Sequence, residues 1–256
     1  MDKPIFSGLM HTGQPDLEAL YRVGKIPMIA RTSFVGWDDP QGLPTAAWYD
    51  AFATGVVAPR KIVMVDHEVW PYATQAERQA TAGKYVTLYQ QIKQRRPDLR
   101  IGWYTDPLRR DYWRAKKLPG AIEYKAWQSE NNDLGAIMAP FTDVYFPSVY
   151  WFYPRTTHPM EADYLSTYIH ENLSEMKRIR RTYGRAESPI YPYVWWNIAN
   201  GSDVPMPLDM WETMVRVTLD EADGMVLWGG YQTPWDENAP WWVTIKARLT
   251  DKRRTG

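Results

Sequence analysis

The sequence predicts an α/β protein, specifically a distorted (β/α) barrel of the TIM type with seven or eight parallel strands. Short apolar segments alternate with amphipathic helical segments, which is the pattern of repeated βα units. Polar and aromatic residues follow several predicted strands directly, where a barrel carries its functional groups. The turn after the first strand, from Gly8 to Gly13, lacks the glycine spacing of a dinucleotide-binding fold. These observations favour a barrel over an open, doubly wound sheet.

Three short apolar runs in the first half of the chain predict strands at 4–10, 26–30 and 62–65. Helices are predicted at 16–21, 46–53 and 74–96. Thr74 and Glu77 have the spacing of a capping box, and Pro97 ends the long helix that they open. Its apolar residues recur at helical spacing and predict one stripe facing the sheet, formed by Tyr85, Leu88, Tyr89 and Ile92.

The second half predicts strands at 100–104, 143–150, 189–196 and 224–228. Between them, the segment 109–134 is expected to be helical in part, and helices are predicted at 162–182 and 207–221. An aromatic loop leads to a last helix and a polar tail at 251–256. No linker or repeat divides the chain, so residues 1–250 are predicted to form a single catalytic domain.

Composition excludes several classes of function. The 30 basic and 30 acidic residues balance, which gives no electrostatic reason to expect nucleic acid or an anionic membrane as a partner. Cysteine is absent, which excludes disulfides and thiolate chemistry, and the four histidines have no ligand spacing. We therefore expect neither a metal nor another cofactor, and we expect a monomer. The amino terminus has no signal-peptide core, so localisation stays open, including secretion through a leader outside this sequence.

The chain is rich in amphipathic aromatic residues, with 14 Trp and 17 Tyr against 6 Phe. Their flat apolar faces and polar edges suit stacking on sugar rings as well as packing in a core. His11 ends the first strand and is expected either to contact a substrate or to cap the strand. Arg31, Arg109 and Arg155 lie near strand ends, where they would meet an anionic substrate; solvated loop charges are the plainer interpretation.

Two acidic residues, Asp66 and Glu68, follow the third strand. Strand side chains alternate between faces, so both carboxyls are expected to point the same way and His67 the other way. At ~3.3 Å per residue their Cα atoms lie about 6.6 Å apart. Such closeness raises the pKa of one carboxyl, as a general acid requires. The alternative is a structural role as a helix cap at the end of a strand.

Five short motifs share an order and a spacing with one known family. Residues 65–71 (Val-Asp-His-Glu-Val-Trp-Pro) look like its Ile-Asp-Trp-Glu-x-Trp-x-Pro, and 102–107 resemble its Gly-Phe-Tyr-Gly-Phe-Pro. Residues 146–150 resemble its Tyr-Pro-Ser-Ile-Tyr, and 207–209 and 224–229 match its Pro-Leu-Asp and Gly-Val-Val-Leu-Trp. The chain therefore resembles glycoside hydrolase family 56, the animal hyaluronidases, over about residues 60–230.

The resemblance implies a retaining endo-glycosidase that cleaves a polysaccharide containing β-linked N-acetylhexosamine. In that family the nucleophile is the 2-acetamido oxygen of the substrate itself. Carried over, Glu68 would be the acid and then the base, and Asp66 would hold the acetamido nitrogen. Tyr104 and Tyr150 would position the acetamido group, and Trp228 would form a wall around its methyl.

Three further residues are predicted to contact the substrate: Asp106, Trp196 and Trp70. Trp196 is preferred to Trp195 because neighbouring strand residues face opposite ways. The chain departs from the family in lacking its structural cysteines. Two other functions stay open, namely a glycosidase that acts on non-acetylated sugars with a carboxylate nucleophile, and a carbohydrate-binding barrel without catalysis.

Overall fold

A computed structural model describes residues 3–56, 61–201 and 204–254 of the chain, with side chains as far as residue 249. Contacts divide the chain into two compact units. Unit 1 contains the residues up to Lys25, Ser148–Glu171 and the residues from Tyr191 onward; unit 2 contains Ile26–Pro147 and Asn172–Ile190. All pairings between named strands are parallel, and helices separate most of the strands along the chain. The predicted α/β class with parallel strands is therefore confirmed.

Unit 1 is built on a four-stranded sheet with the order β2-β1-β7-β6. Its strands are β1 (Ile5–Leu9), β2 (Gly24–Lys25), β6 (Tyr193–Trp195) and β7 (Met225–Gly229). Ile5 pairs with Met225, and Trp195 pairs with Trp228. Met225, Val226 and Leu227 of β7 are fully buried, whereas Trp228 near the end of the strand is half-buried.

Unit 2 is built on a three-stranded sheet with the order β3-β4-β5. Its strands are β3 (Met28–Ala30), β4 (Ile62–Asp66) and β5 (Arg100–Trp103). Ala30 pairs with Asp66, and Val65 pairs with Trp103. The core beside this sheet is largely aromatic, and its fully buried members include Trp48, Phe52, Trp70, Tyr85 and Trp103.

The eight α-helices of the described residues differ widely in length. They are α1 (Leu17–Tyr21), α2 (Ala46–Gly55), α3 (Gln75–Arg95), α4 (Ile122–Met138), α5 (Pro159–Ala162), α6 (Leu165–Tyr183), α7 (Leu208–Glu221) and α8 (Pro240–Arg254). Short 3₁₀ turns occur at Arg31–Ser33 and Ala139–Phe141. In the described residues no helix is both long and apolar enough to cross a membrane.

Helix α3 begins and packs as predicted. Thr74 Oγ1 accepts a hydrogen bond from the Glu77 N–H, and the Glu77 carboxylate accepts one from the Thr74 N–H. This reciprocal pair satisfies donors that a helix start otherwise leaves without partners. The predicted apolar stripe is buried, which fixes the face that the helix turns to the core.

Two predicted strands differ in the structure, and a proline lies within each. The segment 26–30 was expected as one strand, but only Met28–Ala30 forms a strand, β3, and Pro27 precedes it. The predicted strand 143–150 forms only isolated bridges at Tyr145, Phe146 and Ser148. Proline has no N–H to donate to a ladder, and Pro147 lies within this segment.

Several predicted helix boundaries also change. The mixed segment 109–134 forms a helix only from Ile122, which then continues to Met138. The predicted helix 162–182 is two helices, α5 and α6. Helix α8 continues to Arg254 and so includes four residues of the predicted polar tail. The rest of that tail, residues 255–256, lies outside the described part of the chain.

Candidate active site

The paired carboxyls lie where β4 ends. Asp66 is the last residue of the strand and is half-buried, whereas Glu68 lies two residues beyond and is exposed. Burial, reinforced by the neighbouring Glu68 charge, raises the pKa of Asp66 to about 6. The raised pKa belongs to Asp66, the more buried of the two carboxyls. Asp66 can therefore hold a proton in mildly acidic solution.

His67, between the two carboxyls, faces the aromatic core. Its ring lies 4.4 Å from that of Trp37 and 4.3 Å from that of Trp70, and Nε2 is 3.0 Å from the Pro40 carbonyl oxygen. Burial lowers the pKa of His67 to about 4, so the ring is neutral at physiological pH. The buried ring anchors the segment that carries Asp66 and Glu68.

Trp70 belongs to the same aromatic core and is 1% exposed. It packs against Tyr85 at 4.8 Å between ring centroids, and Lys84 Nζ lies 5.3 Å from its ring. Trp70 therefore packs in the core of unit 2, and its contact with a substrate stays a prediction.

Asp106 is also an internal residue, 2% exposed. Its Oδ2 accepts hydrogen bonds from Tyr72 at 2.6 Å and Tyr85 at 2.9 Å. Burial raises the pKa of Asp106 to about 6; Arg109 and the two tyrosine hydrogen bonds oppose this effect, and the Glu68 charge adds to it. Asp106 is therefore enclosed by hydrogen-bond partners of the chain, and its contact with a substrate stays a prediction.

A tight backbone turn carries the chain from Tyr104 to Asp106. Thr105 at its centre has φ +62°, a left-handed conformation that a β-branched residue rarely adopts. The Asp106 N–H donates to the Tyr104 carbonyl at 2.9 Å, and the Thr105 N–H donates to the Phe146 carbonyl at 2.9 Å. Such strain costs on the order of 1–3 kcal/mol and often occurs near functional sites.

Tyr104 lies beside β4. Its N–H donates to the Val65 carbonyl at 3.0 Å, one residue beyond the pair formed by Val65 and Trp103. Tyr104 is half-buried and follows β5 directly. Unit 2 therefore brings Asp66, Glu68, Tyr104 and Asp106 to the ends of two adjacent strands.

Unit 1 contains a separate cavity of about 500 Å³, lined partly by Trp228 and Trp196. Trp228 lies on β7 and Trp195, another lining residue, lies opposite it on β6. Tyr150 is 6% exposed, and its ring contacts that of Trp195 at 5.7 Å. Three of the predicted substrate contacts thus belong to one aromatic region of unit 1.

Both Trp195 and Trp196 line this cavity, although only one of the two was expected to do so. The alternation of faces ends with β6 at Trp195, so it does not govern the next residue. The Trp196 carbonyl accepts a hydrogen bond from the Met206 N–H at 2.7 Å, and its ring stacks on Trp241 at 4.0 Å. The irregular segment after β6 turns both rings to the same cavity.

Polar atoms converge on the same cavity. His11 Nε2, Trp195 Nε1 and Asn197 Oδ1 are buried and make no hydrogen bond to any described residue. Burial lowers the pKa of His11, and its ring stacks with Trp196 at 5.5 Å. A neutral imidazole, an indole N–H and an amide oxygen are suited to sugar hydroxyl and amide groups.

Two glycines shape the cavity where β7 ends. Gly229 has φ +124° and Gly230 has φ +82°, conformations that favour glycine. A Cβ at Gly229 would lie 2.6 Å from Trp195 Nε1, and one at Gly230 would collide with the His11 ring. The Gly-Gly pair therefore leaves room for the polar edge of the cavity.

Two of the arginines that were considered as anion contacts have partners within the chain. Arg31 Nη1 donates to the Trp37 carbonyl at 2.6 Å, and Arg155 Nη1 pairs with Asp209 at 2.8 Å. Tyr72 was not singled out from the sequence as a site residue, and Tyr85 appeared only as part of a core stripe. No local signal connects either tyrosine to Asp106, which lies 34 and 21 residues away, respectively.

Neither a protein-family model nor a curated protein sequence matches this chain. Its structure is similar to that of bee venom hyaluronidase in complex with a hyaluronic acid tetramer, with 15% identity and a TM-score of 0.64 over 99% of this chain and 95% of that one. A trimodular GH5_4 subfamily endoglucanase matches with 12% identity and a TM-score of 0.51, over 96% and 60% of the two chains.

A third similar structure is a Prevotella bryantii glycoside hydrolase of family 5, PbGH5A, in complex with a xyloglucan tetradecasaccharide. It has 12% identity and a TM-score of 0.50 over 97% of this chain and 95% of that one. These identities establish the fold alone. The chain has the α/β barrel-type fold of glycoside hydrolases, which confirms the predicted fold class, and its likeness to family 56 holds at the level of the fold.

Proposed function

We propose that the protein is a retaining endo-glycosidase that cleaves a polysaccharide at β-linked N-acetylhexosamine with assistance from the 2-acetamido group. The observation that carries the proposal is the Asp66–Glu68 pair at the end of β4, in which burial and the Glu68 charge raise the pKa of Asp66 to about 6. A structural cap does not need a second carboxyl that interacts with it. Catalysis by this route requires such a pair.

In the first step the acetamido oxygen attacks the anomeric carbon, and the glycosidic bond breaks. Glu68 donates its proton to the leaving oxygen, and Asp66 accepts a hydrogen bond from the acetamido N–H and stabilises the positive charge of the cyclic intermediate. In the second step Glu68 removes a proton from water, which attacks the same carbon and restores the acetamido group. The exposure of Glu68 supports its role as the group that meets the leaving oxygen and the water.

The cavity beside Trp228 supports the saccharide part of the proposal. It combines indole walls with buried polar atoms of His11, Trp195 and Asn197. Its volume of about 500 Å³ is within the ~300–1,000 Å³ range of ligand cavities. We assign this cavity to a sugar ring, with Trp228 against an apolar face.

The experiment that tests the proposal compares polymers with and without acetamido groups. Reducing ends would be measured after incubation with hyaluronan, chondroitin, chitin oligomers and de-N-acetylated controls. Cleavage restricted to the N-acetylated polymers is expected. Equal cleavage of the de-N-acetylated polymers would show that the nucleophile is a carboxylate and not the acetamido oxygen. Binding without cleavage would indicate a carbohydrate-binding barrel.

A further inference from the structure

Apart from the cavity of unit 1, a cavity of about 490 Å³ lies in unit 2, and arginine residues dominate its lining. Four guanidinium groups and two carboxylates line it, which leaves an excess of two positive charges. If Asp133, which pairs with Arg78, is counted as well, four positive groups face three negative groups. The charged lining residues are Arg78, Arg109, Arg110, Arg114, Asp111 and Glu130.

Two of these arginines have carboxylate partners. Arg78 Nη2 lies 2.9 Å from Asp133 Oδ2. Arg114 makes two hydrogen bonds to the Glu130 carboxylate, at 2.7 and 2.8 Å, and a third to Asp111 at 2.7 Å. These pairs form a fixed wall and neutralise their own charges.

Arg109 differs from both. Its backbone N–H donates to Asn131 Oδ1 at 2.8 Å, and its carbonyl accepts from Trp127 Nε1 at 2.5 Å, so its main chain is fixed. Its guanidinium lies 4.1 Å from the Tyr72 ring centroid. That guanidinium has no hydrogen bond or ion pair with any described residue, which leaves its N–H groups for a ligand.

The same arginine is connected to the catalytic carboxyls. The Tyr72 ring on which it lies donates its hydroxyl to Asp106 at 2.6 Å. Asp106 in turn responds to two charges, since Arg109 lowers its pKa and Glu68 raises it. Arg109, Tyr72 and Asp106 thus form a chain of contacts within unit 2, and the Glu68 charge acts on its Asp106 end.

We propose that the arginine-lined cavity binds an oxyanion carried by the saccharide, either the carboxylate of a uronic acid or a sulfate ester, with Arg109 as its forked donor. A planar guanidinium binds both groups through paired hydrogen bonds. The cavity volume fits a ligand of monosaccharide size. Assigning the anion to the substrate rests on the proposed function, whereas anion binding by itself does not.

The test measures binding to the full chain carrying Glu68→Gln, so that hydrolysis does not intervene. Glucuronate, glucose 6-sulfate and glucose would be titrated calorimetrically at low and high salt. Arg109→Gln removes the charge, and Arg109→Lys keeps the charge but not the fork. Arg155→Gln is the matched control, because Arg155 is an exposed arginine paired with Asp209 in unit 1. Thermal melting would establish that each variant is folded.

One or both anionic sugars should bind at least tenfold more tightly than glucose, and the preferred one identifies the oxyanion. Arg109→Gln should abolish this difference, Arg109→Lys should restore part of it, and salt should weaken it. Equal binding of all three sugars, or an anion preference that survives Arg109→Gln, would overturn the proposal. If the preference depends on Arg109 but the wild-type chain cleaves no polymer, the anion site stands and the proposed glycosidase activity fails.

Discussion

Tyr72 donates a 2.6 Å hydrogen bond to Asp106, a carboxyl that is only 2% exposed. The same Asp106 oxygen accepts from Tyr85, which also donates to the His67 carbonyl at 2.7 Å. His67 lies between Asp66 and Glu68, so this network joins the turn after β5 to the segment that carries these two carboxyls. The arrangement fixes the position of the carboxyls through buried and half-buried groups.

The tyrosine hydrogen bond is expected to hold down the pKa of Asp106. Tyr72→Phe removes a bond that favours the ionised carboxylate, so the pKa of Asp106 should rise above about 6. The free energy of unfolding at pH 8 should fall by about 1.5–3 kcal/mol, as for hydrogen bonds to charged groups. Carboxyl ¹³C NMR and denaturant titration measure both quantities. Tyr231→Phe, at an exposed tyrosine, is the control, and an unchanged Asp106 pKa would disprove the role of this bond.

Asp106→Asn should change how stability depends on pH. The folded-state pKa of about 6 lies above the ordinary 3.8, so folded Asp106 holds its proton more tightly than the unfolded chain does. Its contribution to stability is therefore full below pH 3.8 and is lost as pH rises through about 6. The difference between a pKa of about 6 and one of 3.8 corresponds to roughly 3 kcal/mol. The variant should gain up to that amount relative to wild type between pH 4 and 8; a pH-independent difference would contradict the assigned pKa.

Activity should rise as pH increases through about 6. Asp66 must be ionised to stabilise the positive charge of the cyclic intermediate, and burial and the Glu68 charge raise its pKa to about 6. A plot of kcat/KM against pH for an N-acetylated substrate measures this limb. In Glu68→Gln the pKa of Asp66 should fall, because the Glu68 charge is gone, yet stay above 3.8, because burial is the larger cause. An Asp66 pKa that is unchanged in the variant would show that the carboxyls do not interact.

Gly230→Ala should disrupt the cavity beside Trp228. Its Cβ would collide with the His11 ring, in addition to the strain of φ +82°. Gly201 has the same φ of +82° but nothing within 4 Å of a Cβ, so Gly201→Ala carries the backbone strain alone, about 1–2 kcal/mol. Saccharide binding, measured calorimetrically, should weaken at least tenfold in Gly230→Ala only. Equal effects of both substitutions would mean that the position of His11 is irrelevant.

The sequence predicted local features well where one segment contains the whole signal. The capping box of Thr74 and Glu77 and the apolar stripe of α3 are examples, because helix starts and helix faces depend on residues three or four apart. Prediction was poorer where a proline interrupts an apolar run. Pro27 lies near the start of the predicted strand 26–30, and only Met28–Ala30 of that run forms a strand.

The candidate site was predicted only in part, for a related reason. Strand alternation correctly turned His67 to the core, but Trp70 and Asp106 looked equally available because burial depends on the packing of distant segments. Tyr72 and Tyr85 become visible as partners of Asp106 only in three dimensions. Arg109 was one of three arginines near strand ends, and only its contacts distinguish it from Arg31 and Arg155.

The central claim is that Glu68 is the acid and base of a glycosidase, and reducing-end release from an N-acetylated polymer tests it most directly. Wild type would be compared with Glu68→Gln and with Glu123→Gln, which alters an exposed glutamate at the start of α4. Loss of the proton donor should lower the rate about 10²–10⁴-fold in Glu68→Gln, with unchanged folding, and Glu123→Gln should match wild type. Cleavage by Glu68→Gln at the wild-type rate would contradict the assignment of Glu68.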